Sequence, residues 1–215
     1  TMDLVRPGGP PHGAARVRRF ALKVQQFTGP MMAKSLEDTA FYRYHRLLAL
    51  NEVGGDLSAK ALSVDAFHGM MRTRAGEWPH GMTATSTHDT KRQEDVRARL
   101  AVLSELPDEW VAAVGRWRSR APESPLEPDL DYLMWQTIVG AWPLPADRLR
   151  EYLTKAMREA RTRTSWTDPD PAYEEAVLAH ADAVLADPVL ATDVTRFADR
   201  IAPYARVGSL GQKLV

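Results

Sequence analysis

From residue 93 to residue 206, apolar side chains return every three or four positions in one run after another, and that period belongs to helices. The stripes are Val96, Leu100 and Leu103; Trp110, Val111, Val114 and Trp117; Leu130, Leu133, Met134, Thr137, Ile138 and Ala141; Leu149, Tyr152, Leu153, Ala156, Met157 and Ala160; Tyr173, Ala176, Val177, His180 and Val184; and Leu190, Val194, Phe197 and Ile201. Each would line one face of a helix and must find a partner face. Asp170-Pro171 and Asp187-Pro188 place a capping carboxylate before a proline whose fixed φ suits the first helical position, so two helix starts are marked. Over half of the chain is therefore confined to helix-on-helix packing.

The first 92 residues are less uniform. Val17, Phe20, Ala21 and Val24 predict an amphipathic helix over 14–27, stopped by Gly29-Pro30. Val64, Phe67 and Met71 predict another over 63–76, ended by Gly76. Residues 30–56 mix apolar, aromatic and charged types without one period. Met82 to Thr87 alternates small and β-branched residues, which predicts a short strand. Thr90 with Gln93 fits a capping box, and Glu94 and Asp95 would sit in the favoured first turn of the next helix.

Composition narrows the function classes. Lys plus Arg equals Asp plus Glu at 28 each, so no global basic field points to nucleic acid. There are no cysteines, which removes disulfides and thiolate chemistry and favours the cytoplasm. No apolar run approaches the roughly 20 residues a membrane span needs. The first twenty residues hold no apolar core of a secretory leader, and both ends read as cut from a longer chain, with Val207, Leu210 and Leu214 beginning a further helical rhythm.

The stretch "TSTHDTKRQED" carries the chemistry. A strand ending at His88-Asp89, followed by a helix start, would present Asp89 at the strand's C-terminal end, the edge where α/β barrels keep catalytic groups. The helix N-terminus, Lys91 and Arg92 would keep that carboxylate ionised. An ionised carboxylate beside an imidazole suits sugar hydroxyls and positive charge at a glycosyl centre. On residue types alone, a capping aspartate beside a surface histidine remains the plain alternative. In "AKSLEDTAFYRY", Lys34, Glu37, Asp38 and Arg43 could bind hydroxyls, and Phe41, Tyr42 and Tyr44 could stack on sugars; a salt-bridge network over core aromatics reads equally well.

Two of these stretches resemble a known family. "TSTHDTKRQEDVRARL" is similar to the region of the α-amylase clan of glycoside hydrolases (family 13) in which a strand ends in His-Asp, and more narrowly to the maltooligosyltrehalose synthases. "QQFTGPMMAKSLEDTAFYRYHRLLALNEVGGD" resembles a long signature of the same family, and "ARTRTSWTDPDPAYEEAV" is a weaker third match. The chain departs from the family pattern at Ser35-Leu36, where Gly-Val is usual, at His45 in place of Asn, and at Leu57 in place of Pro.

The resemblance implies a fold class that is mainly α: a partial slice of a (β/α)8 barrel, with one or two short strands and an inserted helical subdomain. Residues 1–92 would be barrel segment, 93–206 the helical subdomain, and 207–215 the start of a further barrel helix. It implies conversion of the reducing-end α-1,4 linkage of a maltooligosaccharide into an α,α-1,1 linkage by retaining intramolecular transglycosylation, with no cofactor and no metal. Asp89 would stabilise the transition state and His88 would bind the sugar before the scissile bond. Lys34, Glu37, Asp38 and Tyr42 would lie near the +1 glucose, Lys91 would also bind substrate, and Arg43 and Tyr44 would be structural. The partners implied are a maltooligosaccharide, the remainder of the barrel, and a trehalose-releasing hydrolase; nucleophile and acid/base would come from elsewhere, leaving this segment inactive alone.

Two readings compete. One is an all-helical metal-dependent phosphohydrolase that uses a His-Asp pair inside a helix, with His180 and Asp182 as distant ligands. The other is a non-catalytic helical interaction domain with a long exposed apolar strip. Trp110, Trp117, Trp135 and Trp142 read as core, Arg158, Arg161 and Arg163 as a solvated helix end, and His180 as a satisfied core residue.

Overall fold

Helix starts and stops divide the chain much as its stripes demand. The computed structural model describes residues 11–58 and 61–214. It contains α1 (Pro11–Met32), α2 (Val64–Glu77), α3 (Glu94–Val102), α4 (Pro107–Arg120), α5 (Pro128–Ala141), α6 (Ala146–Ala160), α7 (Pro171–Ala186) and α8 (Pro188–Gly211). Helices α4, α5, α7 and α8 open on a proline at the first helical position, where the missing N–H has no intrahelical partner to lose. The two expected aspartate caps are present. Asp170 Oδ1 accepts from Tyr173 N at 3.0 Å, and Asp187 Oδ1 accepts from Val189 N at 2.8 Å and Leu190 N at 3.2 Å.

Helices α3 to α8 pack as a bundle, with the long α8 against α3, α4, α5 and α7, and α6 against α7. Its centre is aromatic: the ring of Trp117, 1% exposed, lies 5.8 Å from Trp110, 5.4 Å from Trp135 and 5.7 Å from Phe197. Large rings meeting edge to face bury much apolar area and add specific attraction. Trp110, Trp117 and Trp135 are thus core residues, and Trp142 packs partly buried on their edge. At Gly140 on α5 an added Cβ would meet Leu100 Cγ and Val96 Cγ1 at 3.1 Å, so the missing side chain lets α3 approach.

Several expectations are corrected. Among the described residues there is no strand: Met82 to Thr87 is irregular, and Met82 is 99% exposed. Alternation supplies only half of a strand's requirements, since the ladder needs a neighbouring backbone. Helix α1 does not stop at Gly29-Pro30 but runs to Met32 and into a π turn, Ala33–Glu37. A proline inside a helix removes one donor and disturbs one turn, and here the chain keeps its course beyond it.

Thr90 is not the cap of α3. Its hydroxyl donates to Thr87 O at 2.9 Å and closes a turn, while Glu94 N donates to Ser86 Oγ at 3.2 Å. Val207 and Leu210 ride on the end of α8.

Of the arginines at the end of α6, Arg161 and Arg163 are exposed as expected, but Arg158 and Arg163 are also paired. Arg158 donates twice to Glu174, at 2.9 and 2.7 Å, and Arg163 pairs with Glu127 at 3.0 Å. Arg161 takes the left-handed conformation that ends the helix, φ 53°. His180 is buried, but neither ring nitrogen has a hydrogen-bond partner. The apolar faces of α1 and α2 stay open, with Phe20, Phe27 and Val64 exposed. No helix among the described residues is long and apolar enough to cross a membrane.

Candidate functional site

Residues 33–56 lack a regular period because they fold as a clip stitched onto the bundle. After the π turn come two short 3-10 turns, Ala40–Tyr42 and Leu48–Leu50. The buried Asn51 donates through Nδ2 to Phe41 O at 2.8 Å and Tyr44 O at 2.5 Å, drawing the clip together. Gln136, fully buried on α5, accepts from Leu48 N at 2.9 Å and donates to His45 O at 2.7 Å. Arg43 Nε donates to Ala160 O at 2.5 Å, meeting a bare carbonyl at the end of α6. Phe41 and Leu48 fill the space beneath.

The clip sets one face of a charged cluster, and the loop before α3 sets the other. His88 and Asp89 lie in a turn of that loop, both exposed. Lys91, only 6% exposed, extends to Asp38 Oδ1 at 2.9 Å and lies 3.8 Å from Asp89 Oδ1. Lys34 donates to the other oxygen of Asp38. Burial pushes the Asp38 carboxyl up, but hydrogen bonds from Lys34 and Lys91 outweigh it and hold it below the usual range. The Asp38 hydrogen bond and charge raise Lys34, with a smaller contribution from Asp89. Glu37 Oε1 accepts from Gly54 N at 3.3 Å.

The structure therefore brings Lys34, Asp38, Lys91 and Asp89 together, with Glu37 on the same clip. Tyr42 lies differently: it is 5% exposed within the core, where burial pushes its hydroxyl up. Neither it nor Phe41 offers an open ring face. His45 bonds through Nε2 to Tyr42 O at 2.8 Å, so its departure from the family pattern is spent inside the clip. A cavity of about 740 Å³ lies behind the loop, lined by Phe67, Arg74, Thr85 and Arg97, and one of about 700 Å³ lies farther off, lined by Leu47, Leu50 and Tyr204.

Three features escaped the sequence reading. Glu52 accepts from Lys91 N at 2.8 Å, Arg92 N at 3.1 Å and Arg97 Nη1 at 3.1 Å. Gln136 signals itself only as a polar residue on an apolar stripe. Glu159 acts on Lys34 and Tyr42 through its charge and accepts from the exposed Trp166 at 3.0 Å. Such an arrangement can hold hydroxyl-rich molecules by charged donors and acceptors beside an open carboxylate.

No family model matches the chain. A Mycobacterium tuberculosis protein provisionally named maltooligosyl trehalose synthase is 40% identical over 210 residues, 94% of this chain. The structure of maltooligosyltrehalose synthase from Arthrobacter ramosus matches with a TM-score of 0.81 and 42% identity over 88% of this chain. The chain corresponds to one stretch of the maltooligosyltrehalose synthases. A variant of the A. ramosus enzyme gives a TM-score of 0.83 and 41% identity over 98% of this chain.

The chain spans 27% of the M. tuberculosis relative's length and 26% of that variant's. The similarity to maltooligosyltrehalose synthases thus covers both the clip and the bundle. Neither competing reading gains support: His88 and Asp89 lie outside any helix, and among the described residues no three His, Asp or Glu side chains converge as metal ligands would.

Proposed function

We propose that this chain supplies one catalytic carboxylate and part of the acceptor side of a maltooligosyltrehalose synthase active site. In this reading the enzyme converts the reducing-end α-1,4 linkage of a maltooligosaccharide to an α,α-1,1 linkage, with retention and within one substrate molecule. Residues 1–92 border a (β/α)8 barrel, 93–206 form an inserted helical subdomain, and 207–215 lead back toward the barrel. The nucleophile and the acid/base belong to the rest of the barrel, and the segment alone is inactive. A trehalose-releasing hydrolase would take the product, in the cytoplasm.

The observation that carries the proposal is the bridge through Lys91. It ties Asp38 of one signature stretch to Asp89 of the other, 2.9 and 3.8 Å from the same ammonium group. Asp89, 56% exposed, is free to face a sugar ring where positive charge develops. His88 beside it would donate to a hydroxyl of the same sugar. Lys34, Glu37 and Asp38 would hold the cleaved glucose while it turns, with Tyr42 as the packed floor beneath them. Holding matters because the retained glucose must outcompete water for the glycosyl-enzyme, which requires high effective concentration and a dry site.

The test is incubation of the full-length enzyme containing this segment with maltopentaose. Loss of reducing ends with the chain length unchanged is the expected outcome. Growth of reducing ends, or an unaltered substrate, would overturn the proposal.

A further inference from the structure

The loop that carries His88 and Asp89 has no regular structure, yet its base is fixed at four backbone atoms by a single ion pair. Glu52 and Arg97, 3.1 Å apart, stand on either side of it. Glu52 Oε1 accepts from Lys91 N at 2.8 Å, and its Oε2 accepts from Arg92 N at 3.1 Å. Arg97 Nη1 donates to Arg92 O at 3.2 Å, and its Nη2 donates to Thr85 O. Both ends of the span 85–92 are therefore pinned, and the two residues at its tip need only a short turn between fixed points. Both side chains are largely shielded from water, at 17% and 15% exposure, so their charge-assisted bonds are weakly screened. The pair reaches no oxygen of Asp89 itself. Its action on that carboxylate is through the backbone.

Building on the function proposed above, we propose that Glu52 is a positioning residue for Asp89: it holds the N–H groups of Lys91 and Arg92 so that the carboxylate two residues earlier meets the developing charge in register. Lys91 receives the same benefit, because its backbone is fixed while its side chain spans to Asp38. A misplacement of about 1 Å in such a group can cost a hundredfold in rate. The effect belongs to the transition state, since Asp89 gains its strongest interaction only as positive charge appears on the sugar.

The test is a double-mutant cycle in the full-length enzyme, with Glu52→Gln, Asp89→Asn and the pair, assayed on maltopentaose. Glu52→Gln keeps the side-chain shape but turns an N–H toward groups that are themselves donors. It is expected to lower kcat about thirtyfold, with KM changed less than threefold. In the Asp89→Asn background it should lower kcat less than threefold further, because the group it positions is already disabled.

A merely structural role predicts losses that multiply and an equal loss of folded protein, and either result would overturn the inference. Arg97→Lys provides a second arm that keeps the charge and loses the fork, with the same non-additivity expected. Misfolding of both variants would also overturn it. If wild-type enzyme shows no transglycosylation, the proposed function fails first; if it does and Glu52→Gln keeps full kcat, only this inference fails.

Discussion

Lys91 is where one residue decides most. Its ammonium is nearly buried, so it needs both carboxylates around it, and the two are unequal: Asp38 accepts a true hydrogen bond at 2.9 Å while Asp89 stands at 3.8 Å and stays open to solvent. Asp38, shared between Lys34 and Lys91, thus takes the hydrogen bonds, while Asp89 contributes charge at longer range and keeps its oxygens open. Replacing Asp38 by Ala would strand Lys91 and is expected to destabilise the chain by about 2 kcal/mol, read as a lower urea midpoint. Asp89→Asn should leave the unfolding free energy within about 0.5 kcal/mol of wild type, since its carboxylate is exposed. In the full-length enzyme the same Asp89→Asn change should lower turnover about a hundredfold or more while maltopentaose still binds; near-normal turnover would remove Asp89 from the mechanism. The residue types His88, Asp89, Lys34 and Asp38 were legible in the sequence. The division of labour between the two aspartates was not, because it rests on a difference in distance and exposure.

At the scale of elements, helix starts were legible when their caps were local and illegible when they were not. Asp170 and Asp187 announce α7 and α8 because cap and helix are adjacent in the chain. The donor at the start of α3 is satisfied by Ser86, eight residues before Glu94 and across the His88 turn. Ser86 also donates to Glu94 Oε2 at 2.5 Å, and that bond, foremost, holds the Glu94 carboxyl down at about 2. Ser86→Ala should therefore cost about 1 kcal/mol, as a local cap would, and should lower amide-exchange protection in the first turn of α3 above that in α7. An unchanged exchange pattern would show that Ser86 is dispensable as a cap. The missing strand at Met82–Thr87 has the same origin in reverse. Its alternation is real, but a strand is a pairing, and no described segment forms a backbone ladder with it.

For the whole molecule, the bundle core and the acid response follow from burial. His45 and His180 are both held below the ordinary histidine value of 6.5, chiefly by desolvation. The folded chain therefore binds fewer protons than the unfolded chain as the pH drops through that range. Stability is complete above the ordinary value and is lost as the pH falls from it toward the folded values. The depressed carboxyls of Asp38, Glu94 and Glu174 add a second loss below about pH 4.5. Urea midpoints should decline between pH 7.5 and 5, and His180→Phe should flatten that decline. A midpoint constant over this interval would contradict the burial assigned to both imidazoles.

The chain's periodicity by itself determined that residues 93 to 206 are mainly helical and marked most of the faces they bury, with Val111 and Ala176 exposed against expectation, because a 3.6-residue repeat and local caps act between neighbours along the chain. Its short motifs also determined which residue types could serve a sugar. Only the tertiary structure decided that Glu52, Arg97, Gln136 and Ser86 hold the clip and the loop together, that Tyr42 is buried, and that residues 82 to 87 form no strand. Those outcomes depend on groups far apart in sequence meeting at hydrogen-bond distance, and no local pattern encodes a partner forty or ninety residues away.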